Sequence, residues 1–86
     1  MRAPGKHGGT HDKIFAESPP RNLRWDKMVA ALESIGYTFK PRGGSMFSIH
    51  KGRRHIIEHR PHPGNEMHPS SIRKIRRFLE ENGDTP

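Results

Sequence analysis

The stretch YTFKPRGGSMFSIHKGRRHIIEH, residues 37–59, alternates apolar and polar side chains in three short runs parted by turn residues, and this alternation decides the fold. Tyr37 and Phe39 alternate with Thr38 and Lys40. Phe47 and Ile49 alternate with Met46, Ser48 and His50, and RHIIEH carries a third run. A period of two puts successive side chains on opposite faces of a strand, so each run predicts a half-buried strand. Lys51 and Gly52 suit a tight reversal between the second and third strands, and Pro41 to Gly44 a looser link between the first and second.

The flanking segments have the other period. In RNLRWDKMVAALESIG, residues 21–36, Trp25, Met28, Val29, Leu32 and Ile35 fall on one helical face, with Asn22 as the expected cap and Gly36 as the stop. In HPSSIRKIRRFLEENG, residues 68–83, Ile72, Ile75, Phe78 and Leu79 form a stripe. Pro69 suits the first turn, His68 or Ser70 the cap, and Asn82 with Gly83 the end. Arg73, Lys74, Arg76 and Arg77 take the wetter sides. The order is αβββα, an α+β fold in which two helices cover one face of a three-stranded antiparallel sheet and leave a polar, basic face open.

Residues 1–20, MRAPGKHGGTHDKIFAESPP, offer only Ile14 and Phe15 as sizeable apolar groups and show no helical period, so they are expected to form a flexible tail before a domain at 21–86. The core must come from sixteen groups: Trp25, Met28, Val29, Leu32, Ile35, Tyr37, Phe39, Met46, Phe47, Ile49, Ile56, Ile57, Ile72, Ile75, Phe78 and Leu79. In so small a domain their burial only narrowly exceeds the entropy of ordering the chain.

Charge narrows the class of partner. Sixteen Lys and Arg stand against nine Asp and Glu, and residues 37–62 hold Lys40, Arg42, Lys51, Arg53, Arg54 and Arg60 against Glu58 alone. Such a balance favours a polyanion, held by contacts that weaken as salt rises. Nucleic acid, or an acidic protein that imitates it, leads; once the core is built, neither helix keeps a broad apolar face for lipid. The chain has no cysteine, which excludes disulfides, thiolate metal sites and a Cys nucleophile. No apolar run approaches the ~20 residues of a membrane span and no signal-like stretch opens the chain, so a cytoplasmic protein is expected.

HIIEHRPHP, residues 55–63, concentrates the chemistry. A metal reading would use His55, His59 and His62 with Glu58, but on a strand His55 and His59 stand roughly 13 Å apart, too far to share an ion. No metal and no cofactor is expected. A second reading is proton transfer in RNA cleavage. RNA carries its own nucleophile, the ribose 2′-hydroxyl, and histidine titrates near neutrality and can act as base or acid. Arg60, or Arg42 and Arg54 if the fold brings them close, can bind phosphoryl oxygens through a fixed fork of donors. In the plain reading these histidines are solvated groups on a stiff exit loop between Pro61 and Pro63. The GGS at 43–45 reads as a turn or as amides that cradle a phosphate.

The blocks LESIGYTFKPRGGSMFSIHKG, HRPHPG and HPSSIRKIRRFLEENG, in this order across residues 22–83, resemble the HicA family of bacterial toxins. The resemblance implies a double-stranded-RNA-binding-like αβββα fold, endoribonuclease (mRNA interferase) activity, and neutralisation by an acidic HicB-type antitoxin. Gly44 and Ser45 match the family's Gly-Ser-His segment, but Met46 stands where the family carries its catalytic histidine. A thioether cannot take a proton from a hydroxyl. Three explanations follow: another histidine has taken over, His59 and His62 ahead of His50; binding and electrostatic strain on the RNA suffice; or the chain is a catalytically silent relative. His59 leads, because a strand end orients a ring better than a turn does. The residues expected to hold nucleic acid are Lys40, Arg42, Lys51, Arg53, Arg54 and Arg60. The alternatives are an inactive nucleic-acid-binding module of the same fold and a pure protein-interaction domain.

Overall fold

The computed structural model describes residues 5, 7–17 and 22–86 of the chain. Its elements are α1 (His7–Ile14), α2 (Trp25–Glu33), β1 (Thr38–Pro41), β2 (Met46–Lys51), β3 (Arg54–His59) and α3 (Pro69–Glu81). The strands form one antiparallel sheet in the order β1-β2-β3, with β2 in the centre. From α2 to α3 this is the αβββα order of the double-stranded-RNA-binding-like fold, an α+β architecture, with α1 added in front.

Register follows from the alternation. Phe39 pairs with Ile49, and Ile49 with Ile56, so these three share the face that meets the helices. There Trp25 packs edge-on to Phe39, with ring centroids 6.0 Å apart, and tilted against Phe47 at 5.6 Å, while Tyr37 meets Phe78 at 5.7 Å. Met28, Leu32, Ile49, Ile72, Ile75 and Leu79 are fully buried in the same cluster. At roughly 25 cal/mol per Å² of apolar surface, each such side chain contributes about 1.5–3 kcal/mol, and these residues hold the helices to the sheet.

Two residues expected in the core lie on the opposite face. Ile57 is 37 % exposed and Met46 is half-buried, because each is one step out of phase with its inward neighbours Ile56 and Phe47. Leu23, Met67, Ala31 and Ile14 join the core in their place.

Asn22 does not cap α2. Arg24 is the N-cap, in extended conformation, with no side-chain cap bond. The helix starts late because the chain before it is drawn into pairing: Arg24 bridges Glu66, Trp25 N–H donates to Asn65 O at 2.8 Å and Met67 N–H to Leu23 O at 2.7 Å. The tight reversal also moves by one residue. Lys51 pairs with Arg54, so the loop is Gly52–Arg53, with Gly52 at φ +58°, in the left-handed region that a primed two-residue hairpin requires. His68 caps α3, its Nδ1 accepting from the Ser70 amide at 3.3 Å, and Pro69 follows as expected.

The stretch read as a tail contributes α1. HGGTHDKI is a poor helix former, since each glycine costs roughly 0.5–1 kcal/mol relative to alanine. Tertiary contacts hold it: Ile14 and His11 are buried, Phe15 lies edge-on to His11, and the Arg76 guanidinium sits 5.5 Å from the Phe15 ring. The His11 Nε2 is 2.7 Å from the carbonyl oxygen of Asp84. That aspartate is itself a hub. Tyr37 Oη donates to its Oδ2 at 2.7 Å, and Lys51 Nζ lies 3.3 Å from the same oxygen and caps the end of α2 by donating to Ile35 O. Burial, and donation to a carboxylate that a phenolate could not make, push the Tyr37 phenol far above its ordinary range.

Candidate functional site

Alternation sorts β-strand residues onto two faces, and the face away from the helices carries Thr38 and Lys40 from β1, Met46, Ser48 and His50 from β2, and His55, Ile57 and His59 from β3. None of these is acidic. Glu58, next to His59 in the chain, points the other way, where its Oε1 accepts from Ser71 Oγ at 3.0 Å and its Oε2 lies 3.6 Å from Lys74 Nζ. The carboxylate that a metal reading of HIIEH needs is therefore separated from the histidines by the sheet. Among the described residues no group of three or more His, Asp or Glu could hold a metal ion.

His59 ends β3 and is exposed; its cross-strand partner is Met46. Side chains of directly opposed residues share a face with Cβ atoms about 4.5–5.5 Å apart. Ser45, just before Met46, places its Oγ 3.5 Å from His59 Nδ1. Beyond the strand, Arg60 N–H donates to Ser45 O at 2.8 Å, tying the exit loop to the β1–β2 link. The loop then passes through Pro61 and a cis His62–Pro63 bond. His59, Arg60 and His62 line one depression of about 430 Å³. Arg60 and His62 also line a second, of about 510 Å³, whose opposite wall is Gly44 and Ser45. The GGS turn thus faces the HRPHP loop, a proximity the linear sequence does not display.

His50 is held differently. Arg42 Nε donates to Ser48 Oγ at 2.8 Å, and that oxygen lies 2.7 Å from His50 Nε2. Arginine is always a donor, so the buried Ser48 hydroxyl accepts from Arg42 and has one lone pair and one proton left to meet His50 Nε2. Partial burial, then the charges of Lys40, His55 and Arg42, hold His50 below the ordinary histidine range. Its ring stacks on His55 with centroids 5.2 Å apart. The pair was hidden from the sequence because a reversal at Lys51–Gly52 would set His50 across from Arg53; the loop at Gly52–Arg53 sets it across from His55.

The basic residues separate into two ends. Arg60 stands with His59 and His62, whereas Arg42 reaches Ser48 beside His50. Lys40 pairs with Ser48 in mid-sheet. Arg53 and Arg54 are exposed at the hairpin; Arg54 is five residues, roughly 16 Å, from His59 along the strand and lies across from Lys51 in the helix-side phase, so it does not join Arg60 there. Lys51 turns to the helix side, where Asp84, Ile35 O and the Tyr37 ring, 4.7 Å from its ammonium, surround it.

A small basic domain with a double-stranded-RNA-binding-like fold, its histidine-bearing sheet face left open, is the class these features define. The chain belongs to the HicA toxin family of bacterial toxin–antitoxin systems, whose family model matches residues 25–83. No individual curated protein and no solved structure matches the chain. The match runs from the first residue of α2 to the glycine after α3, and α1 lies outside it. Membership implies an antitoxin partner. None of the helices among the described residues is long and apolar enough to cross a membrane.

Proposed function

We propose that the chain is a toxin that cleaves mRNA in the cytoplasm as a metal-independent endoribonuclease and that an acidic HicB-type antitoxin neutralises it. One observation carries the reading: His59 lies directly across the strand pair from Met46, the position where the resemblance sets the family's catalytic histidine. An imidazole lost from β2 is thus replaced from β3 on the same face. His50, the nearer substitute in sequence, already has its Nε2 taken up in a hydrogen bond with the Ser48 hydroxyl.

In this mechanism the ribose 2′-oxygen attacks the adjacent phosphorus, His59 accepts the hydroxyl proton, and the bond to the 5′-oxygen breaks. His62 donates a proton to that leaving oxygen. The products are a 2′,3′-cyclic phosphate and a 5′-hydroxyl, with no added water or cofactor in the step. Arg60 binds the phosphoryl oxygens as charge develops. Lys40 and, at the hairpin, Arg53 hold the flanking strand through its phosphates; replacing Arg53 lowers the salt slope of binding by as much as ~1, and Arg54, which starts β3 in the helix-side phase, contributes less. Lys51, expected among these, is the least available of the set because Asp84 pairs with it.

The test is incubation of the purified chain with a single-stranded RNA and the matching DNA, with and without EDTA. RNA alone should be cut, equally in both conditions. Cleavage of DNA, or loss of RNA cleavage on chelation, overturns the reading. Mixing with the acidic product of the adjacent gene at low salt should give a stable complex without cleavage; no association overturns the partner assignment. Met46 itself favours a second reading, a silent RNA-binding module, in which RNA is bound and never cut and in which Met46→His creates activity where none was present.

A further inference from the structure

We propose that the stacked His50–His55 pair, with Lys40 and Arg42, forms a second phosphate-binding subsite for a single RNA strand, and that docking the strand there takes up a proton. The site is distinct from the His59–His62 end. His55 and His59 share the open face of β3 four residues apart, roughly 13 Å, a span of about two nucleotide steps.

The groups that face the pair are few, and the charged ones are all cationic. From β1 come Thr38, across from His50, and Lys40, across from Ser48; from the link comes Arg42, through Ser48; from β2 comes Ser48; and from β3 comes Ile57. Two fixed cations and two imidazoles therefore share a patch to which no carboxylate among the described residues contributes. The nearest in sequence, Glu58, is on the far face with Ser71 and Lys74. An uncompensated cluster of this kind attracts an anion. The depressed titration of His50 is consistent with it, since the same cations that lower its proton affinity would be offset by a phosphate. By reciprocity, a ligand that favours the protonated imidazole binds more tightly as pH falls.

The exposed ring of His55, flat against His50, also offers a stacking surface to a base, which favours a nucleotide strand over acidic side chains as the occupant. The inference rests on the proposed function only in taking that strand to be RNA.

The experiment measures binding by fluorescence anisotropy, using the full chain and a short 2′-O-methyl RNA that cannot be cleaved through its ribose, at fixed ionic strength. From about pH 8 to about pH 5.5 affinity should rise roughly tenfold, the effect of a one-unit rise in one imidazole's pKa on binding. The double variant His50→Gln, His55→Gln should lose most of that rise and, with the stacking surface gone, bind more weakly than wild type at the alkaline end as well. His59→Gln should keep it. The inference is overturned if the double variant retains the slope, if His59→Gln abolishes it, or if polyglutamate shows the slope and RNA does not. Thermal melts check folding; should the double variant melt below assay temperature, His55→Gln alone must reduce the slope, and an unchanged slope overturns the inference. Cleavage of ordinary RNA is scored separately: no cleavage with the slope intact defeats the proposed function and leaves the subsite standing.

Discussion

The two faces of this sheet are made by neighbouring residues and have opposite fates. Glu58 turns inward, where a serine and a lysine of α3 occupy it; His59, the next residue, turns outward beside Met46. Ile56 and Ile57 divide in the same way. The inner face is consumed by structure: aromatic packing, the Tyr37–Asp84–Lys51 network, and helices that cover it. The outer face holds three histidines with Lys40 and Arg42 beside them, and no helix among the described residues covers it. A single residue of phase decides whether a side chain stabilises this molecule or is offered to a partner.

That division can be broken from either side. The largest effect is expected outside: His59→Ala should lower RNA cleavage by about 10²–10⁴-fold, the usual contribution of a positioned acid or base, with RNA affinity and melting temperature close to wild type. Single-turnover kinetics beside a binding titration separates the two. Inside, Ile75→Ala, at a position with no exposure, should cost about 2–5 kcal/mol in chemical denaturation, enough to unfold much of a domain this small.

A smaller effect links the faces through pH. The folded-state pKa of His50 lies below its unfolded value near 6.5, so its contribution to stability is complete above that value and is lost as pH falls through the folded pKa. Melting temperature should therefore decline from neutral to mildly acidic pH, and His50→Gln should flatten the decline; an unchanged profile in the variant would show that His50 is not its source. The smallest effect is expected from Ile57→Thr, on the open face, which should stay within about 0.5 kcal/mol of wild type in the same denaturation assay.

The strands, α2 and α3 were legible because periods of 2 and 3.6 are written in residues that alternate or recur strictly. The His68 cap and the turn at Gly36 followed from the same local chemistry. What escaped depended on contacts distant in sequence. Asn22 is a good cap locally, yet Leu23, Arg24 and Trp25 pair with residues 65–67, some forty positions on, and postpone the helix. α1 has no period of its own and is folded against Arg76 and Asp84 from the far end of the chain. Lys51 looked like one more surface cation until Asp84 claimed it. At the candidate site the order His59, Arg60, His62 was visible, whereas the cross-strand neighbours Met46 and Ser45, and the His50–His55 stack, required the register that one misplaced turn residue conceals.

The most direct measurement is the chemistry of the RNA ends released by the purified chain, in EDTA, from an RNA and from the same RNA with 2′-deoxyribose on the 5′ side of each mapped cut. The account predicts 2′,3′-cyclic phosphate and 5′-hydroxyl ends from the first and no cut at the substituted positions of the second. Cuts that persist at those positions, or 5′-phosphate ends, would contradict it, because neither can arise from a ribose hydroxyl whose proton passes to His59.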